Sequence, residues 1–255
     1  MGAEHGHRLH YHGHSVVHRL PAQCKLVALV LFVLCVVGTP TTAYPAYGVY
    51  AAALAGVVAV SGVPPAFLLK RMVVETPFVV FALLMPFLAT GPVVEVLGLM
   101  VSRNGLEAAI ALICRGTLGV LAALLLASTT EPRDILAGLE RLRLPRQLVQ
   151  IMAFMIRYLD VGTAELHRMR IARQARGFHA RGPRAWPVVA RSGGALFIRA
   201  YERGERVHLA MLSRGYAGSM PGFAHTAATR ADWLAAAVLP LLGVLTLLSA
   251  WVVAR

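Results

Sequence analysis

Long apolar stretches alternate with polar links along this chain. Five stretches approach the length of about 20 apolar residues that a helix needs to cross the hydrocarbon core of a membrane. They run from Lys25 to about Tyr44, from Pro45 to Val63, from Val73 to Thr90, from Leu106 to Ser128 and from Trp233 to Ala254. The pattern predicts about five transmembrane helices. Because the first stretch is short and the third contains Pro77 and Pro86, any number from four to six fits it.

A polar region with helical periodicity separates the fourth apolar stretch from the fifth. Apolar residues return every three or four positions between Pro132 and Pro145, which predicts a short amphipathic helix. No proline interrupts Arg146 to Gly177, a stretch that would measure about 48 Å as a helix at 1.5 Å per residue. Glycine and alanine recur at helical spacing between Pro187 and Gly215. Because small residues let helices approach, we expect these two long helices to cross closely.

The composition is that of a membrane protein. Of the 255 residues, 57% are hydrophobic and 15% are charged, and the mean hydropathy is +0.64. A soluble domain of this length would carry more charge. The three cysteines, Cys24, Cys35 and Cys114, lie in or beside apolar stretches without the spacing of a disulfide framework or a zinc site, so we expect buried thiols. The polar start of the chain does not resemble a cleaved signal peptide.

The positive charge is concentrated in the polar region. The formal net charge is +13, and Glu131 to Arg230 holds 17 of the 25 basic and 7 of the 12 acidic residues. Since cytoplasmic loops are enriched in lysine and arginine, this region, the N-terminus and the link with Lys70 and Arg71 are expected to face the cytoplasm. The predicted organisation is a leader over residues 1–23, four spans over 24–128, a cytoplasmic region over 129–230 and a last span over 231–255.

One arginine lies inside a predicted span. Arg115 is near the middle of the fourth apolar stretch, where a guanidinium is costly unless it faces the helix bundle and finds a partner. Glu75 and Glu95 are the candidate partners. The arginine could line a substrate path, or it could be structural, as an interhelical contact or as a side chain that snorkels from a shorter span. The structural interpretation is favoured.

Both long helices are predicted to end in an arginine followed by a glycine. Arg176-Gly177 and Arg214-Gly215 stand 38 residues apart. Glycine just past the last turn accepts a positive φ, and arginine there complements the negative end of the helix dipole, so each pair is first of all a helix cap. Two matching ends also suggest paired docking on a partner, because a guanidinium can bind carboxylates and carbonyls through two hydrogen bonds.

Five motifs occur in the order found in one family of membrane proteins. They read "HRLPAQCKL", "STTEPRDILAGLERLRLP", "IRYLD", "ARQARG" and "MLSRGY". In their order and spacing, from about His18 to Ala254, the chain resembles the transmembrane T component of energy-coupling factor transporters, the CbiQ/EcfT type. The sequence has no Walker A motif and no evident acid–base pair, so we do not expect this chain to be an enzyme.

The resemblance implies an all-α integral membrane protein. About five transmembrane helices would form an L-shaped bundle, joined to one short and two long cytoplasmic coupling helices. In the family, the two arginine-containing ends bind grooves on two ABC-type ATPase subunits, one end on each. The helix surfaces hold a separate substrate-binding membrane subunit, the S component. ATP and magnesium would be bound by the ATPases, with no cofactor on this chain.

The resemblance also assigns ATPase-docking residues by position. They are Ala175, Arg176, Gly177, Ser213, Arg214 and Gly215. Ser213 replaces the alanine of the family pattern, a small change that leaves the role intact. The triplet Ala180-Arg181-Gly182 offers a second register for the first motif. The earlier register is preferred because the helix should have ended by Pro183.

The start of the chain is rich in histidine. Met1 to His18, "MGAEHGHRLHYHGHSVVH", holds six of the ten histidines. Imidazole binds divalent first-row metals, so the leader is either a metal-scavenging tail or a solvated polar segment, and no metal-site residues are assigned.

Within the family, the overall sequence pattern looks most like the cobalt-uptake branch, which feeds cobalamin synthesis. The expected function is cobalt import through the inner membrane of a bacterial or archaeal cell.

Other functions fit parts of the pattern. The nearest alternative is a T component for nickel or a vitamin. A membrane-anchored basic module that binds anionic lipid or nucleic acid is less favoured, because the basic region lacks lysine and aromatic stacking platforms. A membrane metalloenzyme is disfavoured because the histidines form no HExxH pattern.

Overall fold

The computed structural model describes residues 11, 13, 15–96, 99–178, 182, 185–218 and 228–253. Within them the chain forms α1 (Val16–Arg19), α2 (Ala22–Gly38), α3 (Tyr44–Ser61), α4 (Pro65–Leu69), α5 (Thr76–Leu88), α6 (Arg103–Thr129), α7 (Pro132–Arg141), α8 (Arg146–Ala175), α9 (Trp186–Leu212) and α10 (Arg230–Val253). A 3₁₀ turn, Met72–Glu75, joins α4 to α5, and an antiparallel hairpin of β1 (Val93–Val96) and β2 (Leu99–Ser102) precedes α6. The described residues divide into a membrane unit, within residues 11–138 and 228–253, and a long-helix unit, within residues 139–218.

The membrane unit contains the apolar helices. Among the described residues, four helical segments are long and apolar enough to cross a membrane, namely α3, the segment from α4 to α5, α6 and α10. The apolar helix α2 is shorter, with 17 residues. Large apolar side chains such as Leu83, Phe87, Leu241 and Val252 are exposed on these segments, as on a surface that meets lipid. The prediction of an all-α membrane protein with about five apolar helices is confirmed.

Two predicted span boundaries were wrong. The first stretch was expected to reach about Tyr44, but α2 ends at Gly38, since a residue before a proline avoids the helical conformation and Pro40 follows Thr39. The third was expected to begin at Val73. The helical segment begins earlier, with α4, and is interrupted by the 3₁₀ turn. It resumes with α5, whose first turn contains Pro77, a position that proline tolerates.

The core of the membrane unit is built by α2, α3, α6 and α10. Phe32, Tyr50 and Leu54 are its largest fully buried side chains. The rings of Phe32 and Tyr50 meet edge to face with centroids 5.8 Å apart. The Tyr50 hydroxyl donates a hydrogen bond to the Gly243 carbonyl oxygen at 3.2 Å. The polar atom of this buried ring is thus satisfied inside an apolar core.

The helices α5 and α6 lie in close contact at Gly105. A side-chain carbon on Gly105 would lie 2.6 Å from the carbonyl oxygen of Met85 and 2.8 Å from Cα of Pro86. Both are backbone atoms, so no side-chain rotation could relieve the overlap. The absence of a side chain at Gly105 is therefore a condition of this packing.

The beginning of α2 is tied to the junction of α6 and α7. The Lys25 ammonium donates hydrogen bonds to the Thr129 carbonyl oxygen at 2.9 Å and to Oγ1 of Thr130 at 3.1 Å. A positive charge at the C-terminal end of α6 complements the helix dipole. A side-chain carbon on Gly138 of α7 would lie 2.9 Å from the backbone nitrogen of Gln23. These contacts fix α7 to the bundle up to the point where the chain leaves the membrane unit.

Candidate functional site

The helix α8 ends in a glycine cap of defined geometry. The Gly177 N–H donates to the carbonyl oxygen of Gln174 and the Phe178 N–H donates to that of Arg173, both at 3.0 Å. Gly177 has a φ of +76°, which glycine adopts at little cost. This pair of bonds is the Schellman pattern, and it satisfies carbonyl groups that the end of a helix otherwise leaves free.

The helix α9 ends in the same way. The Gly215 N–H donates to the carbonyl oxygen of Leu212 and the Tyr216 N–H donates to that of Met211, again at 3.0 Å. Gly215 has a φ of +84°. The two sequence motifs therefore fold into matching backbone structures, position for position.

The two arginines occupy equivalent places in these caps. Each directly precedes the glycine of positive φ, and the side chains of Arg176 and Arg214 are exposed. Since α8 ends at Ala175, the earlier register of the first motif coincides with a helix end. Arg181, in the alternative register, lies outside the described residues. The backbone accounts for the capping role, and docking on ATPases stays a prediction.

The helices α8 and α9 contact each other, as expected. Glu165 of α8 accepts hydrogen bonds from Arg168 of the same helix and from Arg199 of α9. The Glu165 side chain is 14% exposed. The bonds from Arg168 and Arg199 lower the pKa of the Glu165 carboxyl below its ordinary value, so the carboxylate is ionised at neutral pH. An ion pair therefore links the two long helices.

The glycines of these helices do not mark a close crossing. A side-chain carbon on Gly162, Gly193 or Gly204 would have no neighbouring atom within 4 Å. A cleft of about 420 Å³ lies between α8 and α9 instead, lined by Gly162, Gly204 and larger side chains such as Phe154 and Tyr158. The expectation of a close crossing along the small residues of α9 was wrong, because Gly204 faces this cleft and a side-chain carbon there would touch nothing.

A second polar contact between α8 and the end of α9 was missed in the sequence. Nε2 of Gln150 donates to the Tyr216 hydroxyl oxygen at 2.7 Å, and this hydroxyl lies 3.0 Å from Oε1 of the same amide, to which it donates. Tyr216 directly follows Arg214-Gly215 in the chain. The available signal was the aromatic residue that follows the glycine in both motifs, Phe178 in the first and Tyr216 in the second.

Arg115 lies in the middle of α6 and reaches the end of α2. Its Nη2 donates to the Thr39 carbonyl oxygen at 2.6 Å, and its Nε donates to the Tyr47 hydroxyl oxygen at 3.1 Å. Thr39 directly follows the last turn of α2, so the guanidinium complements the negative end of that helix dipole. Arg115 thereby joins α6 to both α2 and α3.

Neither of the expected acidic partners is paired with Arg115. Within the described residues, no carboxylate forms an ion pair with this guanidinium. Glu75 is buried and accepts a hydrogen bond from Oγ1 of Thr117 at 2.7 Å, while Glu95 lies in β1. Neither candidate is the partner of Arg115, because the end of α2 and a tyrosine supply its acceptors. These contacts favour the structural interpretation of Arg115.

The described residues provide no metal site. No group of three or more histidine, cysteine, aspartate or glutamate side chains among them is placed to hold a metal ion. His18 is described, and its ring nitrogens lie 2.7 Å from Oγ of Ser15 and 3.0 Å from the carbonyl oxygen of Tyr11. The other leader histidines, at positions 5, 7, 10, 12 and 14, lie outside the described residues, so the choice between a metal-scavenging tail and a solvated polar segment stays open.

Comparison with known proteins finds relatives over most of the chain. The family model CbiQ, cobalt transport protein, matches residues 13–223. The energy-coupling factor transporter transmembrane protein EcfT of Bacillus subtilis is 31% identical over 225 residues, which cover 81% of this chain and 82% of that protein. The cobalt transport protein CbiQ of Rhodobacter capsulatus is 31% identical over 139 residues, 52% of this chain and 57% of that protein. The family match includes both Arg-Gly ends.

Proposed function

Because this chain belongs to the CbiQ family of cobalt transport proteins, we propose that it is the noncatalytic coupling subunit of an energy-coupling factor importer. It is a multi-pass membrane protein whose relatives are transmembrane components of transporters. It would link ATP hydrolysis by two ABC-type ATPase subunits to uptake through a substrate-binding S component. ATP and magnesium would be bound by the ATPases, with no cofactor on this chain.

The observation that carries this proposal is the pair of matching helix ends. Arg176 and Arg214 are both exposed beside a glycine of positive φ, and neither guanidinium has a hydrogen bond to another described residue. Two equivalent exposed cations suit two equivalent partner sites. Acidic grooves on two ATPases would supply carboxylates that a guanidinium binds through two hydrogen bonds.

The orientation in the membrane is part of the proposal. The arginine-rich region between α6 and α10 carries most of the positive charge, which favours its retention in the cytoplasm. ATP is hydrolysed in the cytoplasm, so the docking ends have to lie on that side. The short link between α2 and α3 carries no charge and would face outward.

Cysteine labelling of intact cells tests this orientation. With the native cysteines replaced, we expect Thr42→Cys, between α2 and α3, to react with a membrane-impermeant maleimide added from outside. Glu202→Cys, which is exposed on α9, should react only after permeabilisation. Both positions should react in permeabilised cells, which controls for accessibility. Labelling of Glu202→Cys in intact cells would reverse the orientation and remove the basis of the docking model.

Cobalt is the proposed substrate because of the family description. The Bacillus subtilis relative, which covers 81% of the chain, has a name without a substrate, so the alternatives of nickel and a vitamin belong to the same proposal. The histidine-rich leader fits a divalent first-row metal, since neutral imidazole binds these ions well.

Uptake of labelled cobalt tests the substrate. Cells that express this chain with its cognate ATPases and S component are expected to accumulate cobalt in an ATP-dependent way. Deletion of Met1 to His14 should reduce this uptake only modestly, because the leader would concentrate the metal without forming the selective site. Uptake of nickel or a vitamin that does not respond to cobalt would refute the cobalt assignment and leave the coupling function in place.

A further inference from the structure

The two docking ends differ in how the residue after the glycine is attached. Tyr216 is partly buried, whereas Arg214, two residues earlier, is exposed. The Tyr216 hydroxyl is bonded to both polar atoms of the Gln150 amide, at 2.7 and 3.0 Å. The His208 ring of α9 packs edge-on against the Tyr216 ring, with centroids 6.4 Å apart. Tyr216 is therefore held by α8 and α9 together.

Gln150 belongs to the beginning of α8. It is the fifth residue of that helix, which starts at Arg146, and the chain reaches α8 directly from α7. The end of α9 is thus connected to the first turns of α8, where the long-helix unit begins. The cap at Gly215 fixes Arg214 to Tyr216 through the backbone, so the arginine and the amide are two ends of one short, rigid path.

The first docking end lacks this attachment. Its equivalent residue, Phe178, has no hydroxyl, and no side-chain hydrogen bond joins it to another described residue. Arg176 lies at the far end of α8, about 30 residues from Arg146, so a displacement there has to travel along the whole helix. The two ends have the same backbone cap, but among the described residues only the second is joined by side-chain hydrogen bonds to the first turns of α8.

We propose that Gln150 and Tyr216 are positioning residues that connect the second docking end to the first turns of α8, so that a displacement of Arg214 reaches the α7–α8 junction directly. This inference rests on the proposed docking of Arg214 on an ATPase. The pair acts by placing the helix end and does not touch the ATPase. Its loss therefore uncouples hydrolysis from uptake while the subunits stay assembled.

The test compares Tyr216→Phe, Gln150→Leu and the double variant in the complete transporter reconstituted in liposomes. We expect each single variant to keep its ATPases but to take up about 2- to 12-fold less substrate per ATP hydrolysed, the range that corresponds to one neutral hydrogen bond. The double variant should be no worse than either single variant, because both changes remove the same contact. Tyr201→Phe, on the exposed surface of α9, is the matched control and should leave the ratio unchanged.

A spectroscopic distance separates positioning from a general loss of structure. Spin labels at Gln147→Cys in the first turn of α8 and at Ala217→Cys after the second cap should give a narrow distance distribution that broadens in Tyr216→Phe and stays narrow in Tyr201→Phe. An unchanged uptake ratio and an unchanged distribution in Tyr216→Phe would overturn the inference. Loss of the ATPases from Tyr216→Phe would overturn it as well, since Tyr216 would then belong to the docking surface. Failure of the docking model itself would appear separately, as normal assembly of Arg214→Glu.

Discussion

Replacement of both Arg176 and Arg214 by glutamate is expected to abolish uptake and to release the ATPases from the membrane complex. Each guanidinium is exposed at a helix end and, in the proposed complex, would be paired with a carboxylate in a desolvated groove. Reversal of the charge leaves the partner's carboxylate buried and facing a second negative charge. Loss of one such contact costs about 2 to 5 kcal/mol, which corresponds to roughly 30- to 5000-fold weaker binding. The double variant should be worse than either single variant.

Copurification of tagged ATPase with the membrane subunit, together with substrate uptake, measures this effect. Arg170→Glu is a matched control because Arg170 is also exposed on α8 but precedes the cap. It changes the net charge equally and should leave assembly and uptake nearly normal. Alanine at position 176 or 214 removes the cation without adding a negative charge, so these variants should assemble but couple poorly.

The capping interpretation predicts a different result. An arginine near the C-terminal end of a helix contributes about 0.3 to 1 kcal/mol through the helix dipole, and its replacement would only weaken the last turn. Normal assembly and transport in both glutamate variants, at unchanged protein levels in the membrane, would therefore mean that Arg176 and Arg214 are helix caps and that the docking hypothesis is wrong.

The helices and their ends could be predicted because their signals are local. A run of apolar residues specifies a membrane helix, and Arg176-Gly177 marks a helix end within one turn. The Schellman caps could be expected because a glycine stands at each predicted helix end, and few other residues accept a φ near +80°. The five motifs were also sufficient to identify the family, which the match over residues 13–223 confirms.

The side-chain contacts could not be predicted, because they depend on which helices become neighbours. Glu75 and Glu95 were the candidate partners of Arg115, yet its acceptors are a carbonyl group at the end of α2 and the Tyr47 hydroxyl. The small residues of α9 look like a packing seam in sequence, but Gly204 lines a cleft. The hairpin before α6 lies in what appeared to be the link between the third and fourth spans. The 3₁₀ turn before Pro77 overlaps the start of the predicted third span.

The packing of α5 against α6 predicts a large effect of one substitution on the free energy of unfolding of the membrane unit. Gly105→Ala is expected to destabilise the purified protein by about 1 to 3 kcal/mol or more, the range for overpacking a closely packed site. The new side-chain carbon would lie 2.6 Å from the Met85 carbonyl oxygen and 2.8 Å from Cα of Pro86. These backbone atoms cannot turn away, so α5 and α6 would have to separate. The change should appear as a lower midpoint of thermal unfolding in detergent.

Gly119→Ala in the same helix is the matched control. A side-chain carbon on Gly119 would meet no atom within 4 Å, so this substitution adds a methyl group without a clash. Alanine is also favoured over glycine inside a helix by about 1 kcal/mol, so Gly119→Ala should be neutral or stabilising. If the two alanine variants unfold at the same temperature, α5 and α6 do not pack backbone to backbone at Gly105. If Gly105→Ala alone is destabilised, the space at this one position, and not helix propensity, limits how α5 can lie on α6.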